Sequence, residues 1–426
     1  MDTRVLIKDK VVGVLKGIDY NDPLVIYRGN KIKRLAKLVN EFEPKKPISY
    51  ILDTYYSLYL PFPILKPIEE IPFEKKAQYM FIKTLLSSSF IHEIKSKTLL
   101  DSFMSSLATV RIISEIEEQE ISFDKGELSE DELRNMVEKA MNNVARDIEN
   151  VRKLRRIIES DEPGTVSMVQ LEEYGPELLK LARDLDVKKI LDLISSIKPW
   201  EIRVSEKRYR FKHGEIHGYE LGNELERIVP SNLALPSELF YLRFLEKKLL
   251  LYQKMISESK GALYVLVDKS GSMDGLKMTW AKAVALSLYM KALKEKRKFC
   301  FRFFDSIPYE LRIIGKQPKV TDVSLFINYI AKMKGSGGTD ISRAILTACN
   351  DIRMGKVREV SDIVLITDGV DKINENLIKT HLKKSNARLI TVMIMGDNKS
   401  LKNASFKYFA VASLSSKNIL KIIEID

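Results

Sequence analysis

Three segments of the chain carry oxygen-bearing side chains where an apolar run gives way to a loop. Ala262–Val267 leads into Asp268-Lys269-Ser270-Gly271-Ser272-Met273. Far downstream, Gly335-Ser336-Gly337-Gly338-Thr339-Asp340 opens a helical stretch, and Asp362–Thr367 ends in Asp368-Gly369-Val370-Asp371. Neutral hydroxyls mixed with two carboxylates suit a hard divalent cation such as Mg²⁺, with water completing its shell. The alternation of Asp268, Ser270 and Ser272 lets three side chains converge as a strand turns into a loop. Gly271 is read as allowing that turn, and Gly337-Gly338 as letting the second loop come close.

Other chemistries find less support. A nucleophilic Ser270 or Ser272 needs a general base, yet His381 is the sole histidine after residue 260 and falls in a helical stretch. His213-Gly214-Glu215-Ile216-His217 has helical zinc-ligand spacing, but the glutamate is misplaced and Gly214 weakens a helix, so a solvated turn is expected. No Gly-x4-Gly-Lys-Ser/Thr loop is present. Cys300 and Cys349 read as small core residues. Lys269 reads as a solvent-facing residue of neutral role, and Asp274 and Asp371 as caps or as added negative potential.

The elements around these segments alternate. Strands are expected at Ala262–Val267, Lys298–Phe304, Asp362–Thr367 and Arg388–Met395, with helices at Lys277–Lys294, Val323–Met333, Ile341–Arg353 and Asn376–Ser385. Tyr309–Ile314 reads as an extra strand pairing as a hairpin with the one before it. This pattern implies an α/β fold, a mostly parallel sheet with helices on both faces, whose ligands sit at the carboxyl ends of the strands. Residues 1–200 read as mainly helical. Prolines cut the first seventy residues into short pieces, and apolar residues recur at helical spacing from Glu74 to Ile113. A long helix is expected over Ser129–Glu159, opened by a Ser129/Glu132 capping box and followed by Pro163-Gly164, and another over Pro176–Ile197.

In their order and context, the three loop segments resemble the metal-ion-dependent adhesion site of von Willebrand factor A (VWA) domains, over residues 261–426. The resemblance implies that Ser270, Ser272 and Thr339 bind a metal directly, Mg²⁺ or alternatively Mn²⁺ or Ca²⁺, and that Asp268 and Asp368 act largely through water. A sixth position is left for a partner's carboxylate. Upstream, Gly218-Tyr219-Glu220-Leu221-Gly222-Asn223, Leu225–Ser231 and a helical Phe240–Tyr252 resemble the ViaA/CoxE-like group. Its members join an N-terminal helical region to a C-terminal VWA domain and are associated with MoxR-type AAA+ ATPases. The domain division that follows is 1–200 mainly helical, 201–258 a helical connector and 259–426 the VWA domain.

Composition sets the outer limits. The chain has 426 residues, 45% of them hydrophobic and 30% charged, which suits two or three globular domains and excludes wholesale disorder. No apolar run approaches membrane-spanning length, so no membrane insertion is expected. Charges interrupt the N-terminal segment where a secretory core would be continuous, so a cytoplasmic location is expected. The net charge of +12 lies entirely in 261–426, with 28 basic against 16 acidic residues. Abundant Lys, Glu and Ile with scarce Gln hint at a thermophilic source. The expected function is a non-enzymatic, metal-dependent adaptor that binds a MoxR-type ATPase or an acidic client. The alternative is a nucleic-acid-associated scaffold using the basic surface, including the Lys294–Lys298 cluster, although dispersed lysines with few aromatics argue against a stacking groove.

Overall fold

Pro23 opens a helix rather than breaking one. A proline in the first turn forfeits only an N–H that would have no intrahelical partner, and α1 (Pro23–Asn40) runs for 18 residues where short pieces were expected. The computed structural model describes residues 11–40, 44–118, 130–159, 168–195, 208–257, 261–357, 362–369 and 371–424. Among these residues seven further α-helices follow in the N-terminal region: α2 (Ile48–Tyr59), α3 (Lys76–Ser87), α4 (Ile91–Thr98), α5 (Ser102–Glu118), α6 (Glu130–Glu159), α7 (Met168–Arg183) and α8 (Leu185–Ser195). Asp101 sets the start of α5 by accepting the Phe103 and Met104 amides at 3.0 Å.

The long amphipathic helix is α6, and its Ala140, Val144, Ile148, Val151 and Ile158 are buried. Ser129 and Pro163-Gly164 lie outside the described residues. The stretch expected to begin at Pro176 is divided otherwise. Pro176 stands inside α7, and the break falls at Asp184, whose carboxylate accepts the Asp186 amide at 2.8 Å and so starts α8.

Buried charges tie the bundle together. Arg111 on α5 pairs with Glu115 and, through Nε, with Asp147 of α6 at 2.8 Å, while Lys188 of α8 reaches the other Asp147 oxygen at 3.0 Å.

Residues 201–258 form no helical connector in their described part. β1 (Arg208–Gly222) and β2 (Leu249–Ser257) pair as an antiparallel ribbon with α9 (Ser237–Leu245) between them. The apolar run Leu249–Tyr252 was read as helix. A short apolar run carries no periodicity that separates helix from strand, and here cross-strand pairing decided. His213 and His217 therefore lie in a strand rather than a turn.

The remaining elements are β3 (Leu263–Asp268), α10 (Leu276–Lys294), β4 (Phe299–Phe304), β5 (Arg312–Ile314), α11 (Val320–Lys332), α12 (Ile341–Arg353), β6 (Asp362–Thr367), α13 (Glu375–Lys384), β7 (Arg388–Ile394), α14 (Lys399–Ala404), β8 (Lys407–Val411) and α15 (Ser416–Ile423). They build one sheet of order β5-β4-β3-β6-β7-β8, parallel except for β5, which forms the expected hairpin with β4. β3, β4 and β6 are buried throughout, as apolar strands covered on both faces must be. Alternate strand residues feed two cores. Tyr264, Leu266, Ile363 and Leu365 pack with α12, α13 and α14. Val265, Val267, Val364 and Ile366 belong to a core that takes in α10, α11 and α15 and continues into the N-terminal helices. There α7 and α8 pack on α10 and α11, and Ser416 donates to the Leu193 carbonyl at 3.0 Å.

Asp147→Ala leaves the buried Arg111 and the partly exposed Lys188 without their shared carboxylate, and it is expected to cost about 3 kcal/mol in urea-induced unfolding.

Candidate metal centre

The chain passes from β3 to β4 on one side of the sheet and returns to β6 on the other, so the carboxyl ends of β3 and β6 adjoin at the switch point where such sheets bind ligands. Asp268 ends β3 and Asp368 follows β6. Asp268 is fully buried. Its Oδ1 accepts the Ser270 amide at 2.8 Å and its Oδ2 accepts the Thr367 hydroxyl at 2.5 Å. Burial pushes the Asp268 carboxyl up, the neighbouring Asp368 charge adds to this, and the Thr367 and Ser270 hydrogen bonds only partly offset it. Ser270 and Ser272 bring their hydroxyls to 3.1 Å of each other, and Ser272 donates to Asp368 Oδ1 at 2.7 Å.

Four of the five expected ligands are thus linked by direct contacts. The fifth, Thr339, lies beside them, with its methyl group close to Gly369, the residue after Asp368. Hydroxyl and carboxylate oxygens of two loops converge at one sheet edge, with Thr339 of a third loop beside them, and a donor set of that chemistry fits a hard divalent cation. Ser272 is exposed, so the edge faces solvent even with the helical region docked.

Backbone pairing holds the loops in register. The Gly271 amide donates to the Gly337 carbonyl at 3.0 Å, and the Ser336 amide to the Lys269 carbonyl at 2.6 Å. The second loop comes close where expected: a Cβ at Gly337, whose φ is +93°, would lie 2.9 Å from Asp305 Oδ2, and one at Gly338 2.7 Å from the Ser306 hydroxyl. Gly335 is tight as well, where a Cβ would lie 2.8 Å from the Asp274 Cα, whereas Gly271 has ordinary room for a side chain. Asp274 accepts the Gly335 amide at 3.3 Å, and Asp340 caps α12 through the Arg343 amide at 2.8 Å. The Asp371 carbonyl accepts from Asn398 at 2.8 Å.

Lys269 does not face solvent. It is buried, with Nζ 3.1 Å from the Ser336 hydroxyl, 3.4 Å from Asp305 Oδ2 and 4.4 Å from the centre of the Tyr309 ring. Tyr309 donates to the same Asp305 oxygen at 2.7 Å. Burial would raise the Asp305 carboxyl, but the Ile307 amide, the Tyr309 hydroxyl and Lys269 outweigh it and hold the group below the usual carboxylate range.

Asp305, Thr367 and Lys277, which pairs with Asp368, were not assigned from sequence. Asp305 and Thr367 stand at strand ends, a signal that was available. Cys300 and Cys349 are core residues, and burial pushes the Cys300 thiol up to about 12, far from a reactive thiolate. Within the Lys294–Lys298 cluster, Arg297 turns inward to Asp362 at 2.6 Å. Among the described residues, no helix is long and apolar enough to cross a membrane.

The sheet and its loop edge define a VWA-type domain carried behind a helical region. In sequence the chain is similar to proteins of the ViaA group and to VWA-domain proteins. It is 29% identical over 425 residues to an uncharacterized protein of Methanocaldococcus jannaschii, covering 92% of this chain and 94% of that one. It is 30% identical over 231 residues to the regulatory protein ViaA of Edwardsiella ictaluri, and the match spans 46% of either chain. A putative VWFA domain-containing protein of Acidianus two-tailed virus is 25% identical over 71% of this chain and 34% of its own length. Among solved structures, a von Willebrand factor type A protein from Catenulispora acidiphila aligns over 40% of this chain and 43% of its own at 15% identity, with a TM-score of 0.32. No protein-family profile matches the chain.

Because its folded carboxyl lies below the usual range, Asp305 contributes stability that is complete at neutral pH and is lost as pH falls below about 4. Asp305→Asn is expected to lower stability by about 1–2 kcal/mol at pH 7. Thermal melts between pH 7 and pH 3 should show the gap from wild type closing on the acid side.

Proposed function

We propose that this protein is a non-enzymatic adaptor that binds its partner through a divalent cation held by Ser270, Ser272 and Thr339, with Asp268 and Asp368 behind them. The observation that supports this most directly is the convergence of the two serine hydroxyls with Asp368 at a solvent-facing sheet edge. Mg²⁺ is the expected ion, and when bound it supplies a coordination position for a carboxylate from the partner. The protein's own groups do the rest. Thr367 and the Ser270 amide hold Asp268 in one orientation, and the Lys269–Asp305–Tyr309 cluster keeps the loops from separating.

The partner class proposed is a MoxR-type AAA+ ATPase or an acidic client protein, following the resemblance to the ViaA/CoxE-like group. The ribbon module would supply a second contact. None of the residues of α9 is buried, and its Tyr241 and Leu245 are 65% and 76% exposed. An apolar helix left in water is a common mark of a protein-binding surface.

Two measurements test this reading. In a pull-down with purified MoxR-type ATPase or from native extract, capture by wild type in Mg²⁺ is expected to fall at least tenfold in EDTA and in Ser270→Ala. Capture that is equal in all conditions overturns metal-dependent binding. Leu245→Asp is expected to weaken ATPase capture while leaving the thermal midpoint unchanged, and undiminished capture removes α9 from the interface.

A further inference from the structure

The two carboxylates at the sheet edge are balanced differently. Asp268 receives uncharged donors, the Ser270 amide and the Thr367 and Ser270 hydroxyls. Asp368 receives the Ser272 hydroxyl on one oxygen and, on the other, the ammonium of Lys277 at 2.5 Å. Lys277 stands in the first turn of α10, immediately after the loop that carries Ser270 and Ser272, and its ammonium also lies 3.3 Å from the Ser272 carbonyl. The Asp368 side chain is 4% exposed and that of Lys277 29% exposed, so the pair is neither a free surface contact nor sealed from water.

Charge counting shows the consequence. Lys269 is matched by Asp305, and Asp274 and Asp340 engage backbone amides elsewhere in the loops, so the contacting group of Asp268, Asp368 and Lys277 carries a net charge of −1 before any ion enters. A divalent cation takes that group to +1, whereas without the lysine it would go from −2 to neutrality. The lysine therefore does two opposed things. It holds Asp368 in place when the site lacks a metal, and it repels the metal.

We propose that Lys277 is a built-in counter-cation that keeps the site assembled without metal and caps its affinity for divalent ions, so that metal binding is weak and exchangeable until a partner carboxylate adds negative charge. This rests on the metal reading of the same loops. A unit charge a few ångströms from a divalent ion, screened as at an exposed site, changes affinity by about tenfold or more.

The test is calorimetric titration of the full chain with Mg²⁺ and with Mn²⁺, comparing wild type with Lys277→Met, Lys277→Gln and Lys277→Arg. The glutamine keeps a hydrogen-bond donor for Asp368 if the methionine variant folds poorly. Lys277→Met and Lys277→Gln are expected to bind either ion about tenfold more tightly, and Lys277→Arg to match wild type. In EDTA the neutral variants should melt below wild type and recover more on adding Mg²⁺. Neutral variants that bind equally or more weakly overturn the proposal while leaving the metal reading intact. Absence of binding by wild type and variants alike overturns the metal reading, and this proposal with it.

Discussion

Asp268 and Asp368 are like charges on adjoining strand ends, and the architecture of the sheet edge is a response to that repulsion. A parallel strand delivers its last side chain to the same edge as its neighbour, so β3 and β6 bring the two carboxylates together by construction. Leaving Asp268 ionised beside Asp368 needs compensation, because burial and the neighbouring charge both favour its protonation. The surroundings provide it through the Thr367 hydroxyl, the Ser270 amide, the Ser272 hydroxyl and Lys277. What these groups leave is a local excess of negative charge beside the Ser270 and Ser272 hydroxyls, the surroundings that the proposed cation would meet.

The helical region leaves this edge accessible. It docks through α7 and α8 on α10 and α11, and the joint core extends through α15. That face runs along the side of the sheet, while the loops stand at its carboxyl end. Bundle and sheet share one continuous apolar core, so movement of α8 would be felt at α10, the helix that follows the serine loop. The ribbon and α9 are built differently. Leu249 and Leu251 of β2 are buried, but Ile216, Tyr219 and Leu221 of β1 and the apolar residues Tyr241 and Leu245 of α9 remain in water, and a two-stranded ribbon buries little of its own surface. The protein thus combines a polar edge suited to a charged contact with an apolar module suited to a larger one.

Much of the VWA domain was legible in the residues. Continuous apolar runs marked β3, β4, β6 and β7, because strands covered on both faces carry no polar alternation. β8 (Lys407–Val411) was missed, since an edge strand half in water has neither a continuous run nor clear alternation. Pro23 and Pro176 misled in one way. Proline punctuates a chain by where it falls within a turn, and that place is set by packing. The ribbon was taken for helix because its apolar run has no period of its own, and only its pairing with β1 gives it one.

Residue types and spacing were enough to point to an oxygen-rich candidate site and to the sheet edge of the fold that carries it, because the motifs of Asp268 and Asp368 sit at strand ends and parallel strands share an edge. They did not reveal the cations. Lys269 lies inside the serine motif yet turns into the protein to meet Asp305, and Lys277 lies beyond the motif yet meets Asp368. A lysine's long stem lets one sequence position reach solvent or a buried carboxylate. Which it reaches depends on where distant strands place that carboxylate, and that is settled when β3, β4 and β6 assemble.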